Sequence, residues 1–144
     1  MRVSGRAAGL ILSLGLICGC SRQSAATEDL MHALSEAHSA IDSSILAIEL
    51  YDQQRSTRAV TETLLEDMAE QIVDAERALE PVTIDSEHTQ SVRDAALAAI
   101  HTGGAALLTS RDQLQQRGAV DNTADLEAAG HQVDSVLGQL RGSQ

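Results

Sequence analysis

The chain has no lysine, no tryptophan and no phenylalanine, and its only aromatic residue is Tyr51. With ten arginines against 21 Asp and Glu, the formal net charge is −11. Phosphate backbones are held by clustered Lys and Arg that release counterions, so nucleic acid is excluded as a partner. Anionic lipid headgroups repel the same charge. The shortage of aromatic rings removes the stacking platforms on which sugars, bases and cationic ligands are commonly held. Cysteine is confined to Cys18 and Cys20, which leaves everything downstream without a thiol for a disulfide, a thiolate metal site or covalent catalysis. There is no Cys-x-x-Cys-His heme attachment motif, no glycine-rich phosphate cradle and no Gly-x-Ser-x-Gly nucleophile elbow. No cofactor is implied, and the residues point away from an enzyme.

What is present begins at the N-terminus. Arg2 and Arg6 precede an eleven-residue apolar segment, Ala7 to Ile17, the layout of a secretory signal. A bilayer-spanning helix needs roughly 20 apolar residues, and here Ser21, Arg22 and Gln23 end the run early. Its last residues, Leu16-Ile17-Cys18-Gly19-Cys20, resemble the lipobox of bacterial lipoproteins, with Ile17 at −3, Cys18 at −2, Gly19 at −1 and Cys20 at +1. The resemblance covers only about the first twenty residues. It implies a diacylglyceryl group on the Cys20 thiol, cleavage just before Cys20, and further acylation of the new amino group. Each buried methylene adds about 0.8 kcal/mol, and two chains anchor stably where one does not. Arg without Lys, together with abundant Ala and Gly, adds a compositional likeness to a small actinobacterial lipoprotein.

This divides the chain into a signal peptide over 1–19, a lipidated cysteine and polar tether over 20–27, and a helical domain over 28–144. Removal of the leader takes Arg2 and Arg6 with it and leaves 125 residues with eight arginines against 21 acids, a net charge of −13. That length suits one domain with its own core.

Within the domain, apolar residues recur at steps of three and four, which places them on single helix faces. Leu30, Leu34, Ala37, Ile41, Ile45 and Ile48 mark a first helix, capped by Ser24 or Thr27 and ending near Gln53. Val60, Leu64, Met68, Ile72, Ala75 and Leu79 mark a second, capped by Ser56 or Thr57 and stopped by Pro81, the only proline. A third starts at Asp85 or Ser86, carries Val92, Ala96, Ile100, Gly103, Leu107 and Leu114 inward, and ends at Gly118. After the candidate caps Asp121, Asn122 and Thr123, Leu126, Gly130, Val133, Leu137 and Leu140 mark a fourth. Four helices joined by short connections, with no strand pattern, predict an all-α, up-down-up-down four-helix bundle. Small residues at many core positions predict a narrow core with little room for an internal ligand.

Several groups invite chemistry. His32 and His38, near Glu28, Met31 and Glu36, are the candidate metal ligands among five histidines. Di-iron bundle sites pair a Glu with a His three residues later, twice; here the residues three before each His are Asp29, Ser35, Asp85, Ala98 and Ala128, which is not that pattern. Tyr51, Arg55 and Arg58 gather the lone aromatic and two cations at one end of the bundle, a composition found in binding hot spots and equally in the closure of a helix C-terminus. Gly103-Gly104 inside a helical stretch costs about 1 kcal/mol per glycine relative to Ala, which implies either close helix approach or a hinge or partner contact. The acidic run from Glu62 to Glu76 offers itself to a cation or a basic partner, or is simply solvated.

The sequence therefore predicts a lipid-anchored protein on the extracytoplasmic face of the cell membrane, attached through Cys20. Its bundle serves as a non-catalytic interaction or scaffold module for an envelope protein partner, using the acidic flank or the Tyr51, Arg55 and Arg58 corner. The alternative is an extracytoplasmic bundle that binds a metal or small solute through His32 and His38.

Overall fold

A computed structural model describes the backbone of residues 19–82, 86–121 and 123–142, with side chains from residue 25 onward. Among the described residues four helices follow one another: α1 (Gly19–Asp52), α2 (Arg58–Ala78), α3 (Glu87–Arg117) and α4 (Ala124–Gly142). Each lies against the next, and α4 returns against α1. The fold is an all-α four-helix bundle with up-down-up-down connectivity. α1 and α3 also touch across the diagonal, whereas α2 and α4 do not meet among the described residues, so the cross-section is a rhombus closed along its α1–α3 axis.

The core is built from four seams with steps of four and three. On α1 the buried series is Leu30, Leu34, Ala37, Ile41, Ser44 and Ile48. On α2 it is Thr61, Leu65, Ile72, Ala75 and Leu79, with Met68 partly buried between them. α3 contributes Val92, Ala96, Ile100, Gly103, Leu107, Ser110 and Leu114, and α4 Leu126, Gly130, Val133, Leu137 and Leu140. A mean step of 3.5 keeps such a seam facing its neighbours along the whole helix, as in coiled coils and most four-helix bundles.

Three of these seams carry a hydroxyl where hydropathy asks for a hydrocarbon. An unsatisfied buried hydroxyl costs about 1–3 kcal/mol, and each here is satisfied within its own helix. Ser44 donates to the Ala40 carbonyl at 2.7 Å, Thr61 to Thr57 at 3.1 Å and Ser110 to Ala106 at 3.1 Å. Their presence shifts the expected faces. Val60 and Leu64, expected inward, are 53% and 39% exposed, and Thr61 and Leu65 take the core positions. On α1, Ser44 takes the seam and Ile45 sits half-buried beside it.

The glycine pair is explained by packing. A methyl on Gly103 would lie 2.7 Å from Ile41 Cδ1 and 3.3 Å from Cγ1. Ile41 is fully buried, and Gly130 of α4 bounds it on another side, where a methyl would come 3.6 Å from Cγ2. The missing side chains at 103 and 130 thus let Ile41 fill the diagonal contact. Gly104 faces α2, where a methyl would stand 3.1 Å from Ile72 Cγ2.

Helix ends follow local chemistry. Thr57 caps α2, its side chain accepting from the Val60 amide, and Ser86 caps α3 by accepting from Thr89. Gly118 closes α3 in the left-handed region at φ 70°. α2 gives way at Leu79, two residues before Pro81. The start of α1 differs from expectation: residues 20–27, expected as a polar tether ahead of the first helix, are helical, and Ser24 and Thr27 lie inside the helix. This stretch has no glycine or proline, Ala25 and Ala26 are strong helix formers, and Ala26 joins the core cluster, so a helix nucleated by packing propagates back at little cost. Residues 1–18 of the expected 1–19 signal segment, the Cys20 side chain and the candidate caps Asp85 and Asn122 lie outside the described residues.

Candidate functional site

Two surfaces were flagged by sequence, and the bundle treats them differently. At the end where α1 and α3 finish, the chain leaves α1 through Gln54 at φ 57°, and the amides of Arg55 and Ser56 both return to the Leu50 carbonyl, at 2.8 and 3.1 Å. That turn aims Tyr51 and Arg58 across at α3. Tyr51 donates its hydroxyl to the Gly118 carbonyl at 2.7 Å, and Arg58 donates Nη2 to the Gln115 carbonyl at 2.6 Å and Nε to Glu62 at 2.7 Å. The last carbonyls of a helix have no partner within it and carry partial negative charge. Tyr51 and Arg58 supply the missing donors from 67 and 57 residues away. Both are therefore engaged in closing α3. Arg55 is exposed, with no side-chain partner among the described residues. The same logic recurs at the other end, where Arg93 Nε donates to the Leu79 carbonyl at 3.0 Å and closes α2.

The histidines are dispersed. His32 is exposed, 3.4 Å from Glu36 on the next turn. His38 is half-buried between α1 and α4, with Nδ1 3.2 Å from Asp42 and Nε2 3.2 Å from Asp134. It ties two helices together, and His32 does not approach it. Among the described residues, no group of three or more His, Cys, Asp and Glu is arranged to hold a metal ion.

The acidic flank is better organised than its sequence suggests. Glu62, Glu66, Glu70 and Asp74 follow at steps of four on α2, so they stack in one column on the helix surface. Arg58 neutralises the first at 2.7 Å and Arg77 the last at 3.0 Å. Glu66 and Glu70 have no ion pair within 4 Å among the described residues. They border a concavity of about 390 Å³ with Val73, Asp74, Arg77 and Arg111. Among the described residues Arg111 reaches only Asp112, at 3.8 Å, and its Nε is buried with no acceptor.

Next to it, sharing Ala69 and Val73, lies a groove of about 250 Å³ between α2 and α3, lined by Ile72, Glu76, His101, Gly104, Ala105 and Leu108. Val73 and Leu108 are 42% and 45% exposed. Sequence reading picked out the charged run but missed this groove. Its one local signal was Gly104, whose neighbours Val73 and Leu108 fall off the seams that periodicity detects.

Among the described residues no helix is long and apolar enough to cross a membrane. The chain has no counterpart in the comparisons with known proteins: no family model, no curated protein and no solved structure matches it.

Proposed function

We propose that this protein is a lipoprotein of the cell envelope, anchored on the extracytoplasmic face of the membrane by lipid on Cys20, with a bundle that works as a non-catalytic interaction module. The observation that carries this reading is the stretch Leu16-Ile17-Cys18-Gly19-Cys20 behind two arginines and an apolar run. The lipid supplies the membrane affinity that a surface of net charge −13 cannot supply against anionic headgroups. Because α1 is helical from Gly19, the seven residues after Cys20 rise about 1.5 Å each. The core then starts close above the headgroups on a stiff support instead of on a slack tether.

Of the two candidate surfaces, the α2 flank is the better fit for a contact. Tyr51 and Arg58 are already bonded within the bundle, whereas Glu66, Glu70, Val73 and Leu108 are open.

Mass spectrometry of the native protein tests the address: the expected mature N-terminus is an acylated Cys20, and Cys20→Ala leaves the membrane fraction. An intact leader, or a trimmed start without lipid, would refute the anchoring and with it the envelope role.

A further inference from the structure

We infer that the α2–α3 groove docks an amphipathic helix of a partner protein, one with an aliphatic stripe flanked by Lys or Arg. The inference rests on the interaction-module reading and names the class of partner. The groove is a trough between two helices with a largely aliphatic lining, the kind of surface on which a helix lays its apolar face. Its floor is made low by Ala69, Gly104 and Ala105, so a second backbone can come near, and its walls are the exposed side chains of Val73 and Leu108.

Charge decides what lies on it. The α2 side is lined by Glu66, Glu70 and Asp74 outside and Glu76 within. Against them stand Arg77, already bonded to Asp74 at 3.0 Å, and Arg111. The carboxylates Glu66 and Glu70 share this concavity with Val73 and make no ion pair within 4 Å among the described residues, so a helix carrying Lys or Arg next to its apolar stripe meets complementary charge along one edge. A second copy of this chain brings net negative charge and no lysine, and is repelled. An anionic ligand meets the same repulsion, and a neutral apolar solute would leave the carboxylate edge without a role.

The test uses the full chain in phosphatidylcholine nanodiscs, with empty nanodiscs as the blank. Three synthetic helices are titrated: Leu-striped with Lys flanks, Leu-striped with Glu flanks, and Lys-flanked with Gln in place of Leu. The first should bind, shifting amide resonances over 69–76 and 101–108. Its affinity should fall about tenfold or more in Val73→Glu with Leu108→Glu, where apolar contact is lost, and in Glu66→Lys with Glu70→Lys, where the edge is reversed. Circular dichroism verifies that both variants fold; all four positions are on the surface. Equal binding of the Lys–Gln peptide, unchanged affinity in either variant, or shifts that map elsewhere would overturn the proposal.

Photo-cross-linkers placed in intact cells at Val73, at Leu108, at exposed Leu46 on α1 and at exposed Arg55 separate this inference from the reading beneath it. Capture at 73 or 108 of a segment whose sequence is a basic amphipathic helix supports the groove. Capture from 46 or 55 alone overturns the groove and leaves the interaction module standing. No adduct from any position overturns both.

Discussion

Replacing Gly103 with alanine tests the diagonal contact on which the cross-section depends. In an unhindered helix the change gains about 1 kcal/mol, because glycine carries the larger entropy cost of ordering. Here the new methyl would stand 2.7 Å from Ile41 Cδ1 and 3.3 Å from Cγ1, about 1 Å inside the ordinary 3.5–4.0 Å carbon contact. Ile41 has no exposed surface, Gly130 bounds it from α4, and Ala129 Cβ would stand 4.0 Å from the new methyl. Turning Cδ1 off its rotamer costs about 0.5–1.5 kcal/mol, and overpacking in a filled core about 1–3 kcal/mol. Against the gain in propensity, the net expectation is a loss of about 1 kcal/mol. Ile41→Val removes the offending carbon and by itself costs about 0.5–1.5 kcal/mol. Combined with Gly103→Ala, the added methyl fills the space that Cδ1 leaves, so the double variant should lie near wild type, with a coupling of about 1.5–2.5 kcal/mol in its favour. Gly138 is the internal control: it lies on exposed α4 surface, where an added methyl would have nothing within 4 Å, so Gly138→Ala should stabilise by about 0.5–1 kcal/mol. Urea unfolding followed by circular dichroism at 222 nm supplies all four free energies. If Gly103→Ala stabilises as much as Gly138→Ala and the cycle is additive, α1 and α3 do not approach as described.

Three further outcomes are expected. Tyr51→Phe removes the 2.7 Å donor to the Gly118 carbonyl and should cost about 1 kcal/mol. Gly118→Ala should cost about 1–2 kcal/mol from the left-handed backbone alone, because its methyl would meet Arg58 Nη1 at an ordinary 3.7 Å; faster hydrogen exchange in the last turn of α3 should accompany both, and its absence would mean that the corner does not close that helix. On α2, Glu70→Lys converts two like-charge neighbours, Glu66 and Asp74, into attractive ones; at about 0.2–0.5 kcal/mol for each repulsion removed and each attraction gained, stability should rise by about 1 kcal/mol at low ionic strength and lose that gain at 1 M salt. A salt-independent gain would show that the column of carboxylates carries no strain.

The parts of this fold written in apolar spacing were readable in advance, and those written in hydroxyls were not. Leu126, Gly130, Val133, Leu137 and Leu140 on α4 are all buried as their periodicity predicts. So are the expected residues of α3, from Val92 to Leu114. The caps Thr57, Ser86 and Gly118 follow from local chemistry that involves only a few neighbouring residues. On α2 the true seam runs through Thr61, and a reading that looks for hydrocarbons slides by one residue to Val60 and Leu64. On α1 the same substitution of Ser44 for a hydrocarbon draws the eye to Ile45. In each case a hydroxyl bonded to the carbonyl four residues back behaves as a small core side chain, and hydropathy scales price it as polar. The corner at Tyr51 was visible as a composition, but its purpose depends on carbonyls more than fifty residues away, which no local pattern encodes.

The remaining tension lies on α2. Nearly every other departure from local rules is repaid within the bundle. Gly103 is offset by the fit of Ile41, Ser44 by its bond to Ala40, and the open end of α3 by Tyr51 and Arg58. His38 stands between two carboxylates on two helices. The column from Glu62 to Asp74 is different, because among the described residues only its ends are neutralised while its middle runs beside half-exposed Val73. Like charges four residues apart oppose the helix that carries them, and Glu66 and Glu70 have no ion-pair partner among the described residues to offset this. A stable sequence tends to be consistent at every level except where another demand overrides it. If the column serves an external contact, Glu70→Lys should move the two properties in opposite directions, making the isolated bundle more stable and its hold on a basic helix weaker. A solvated face of no further use would show the first effect without the second.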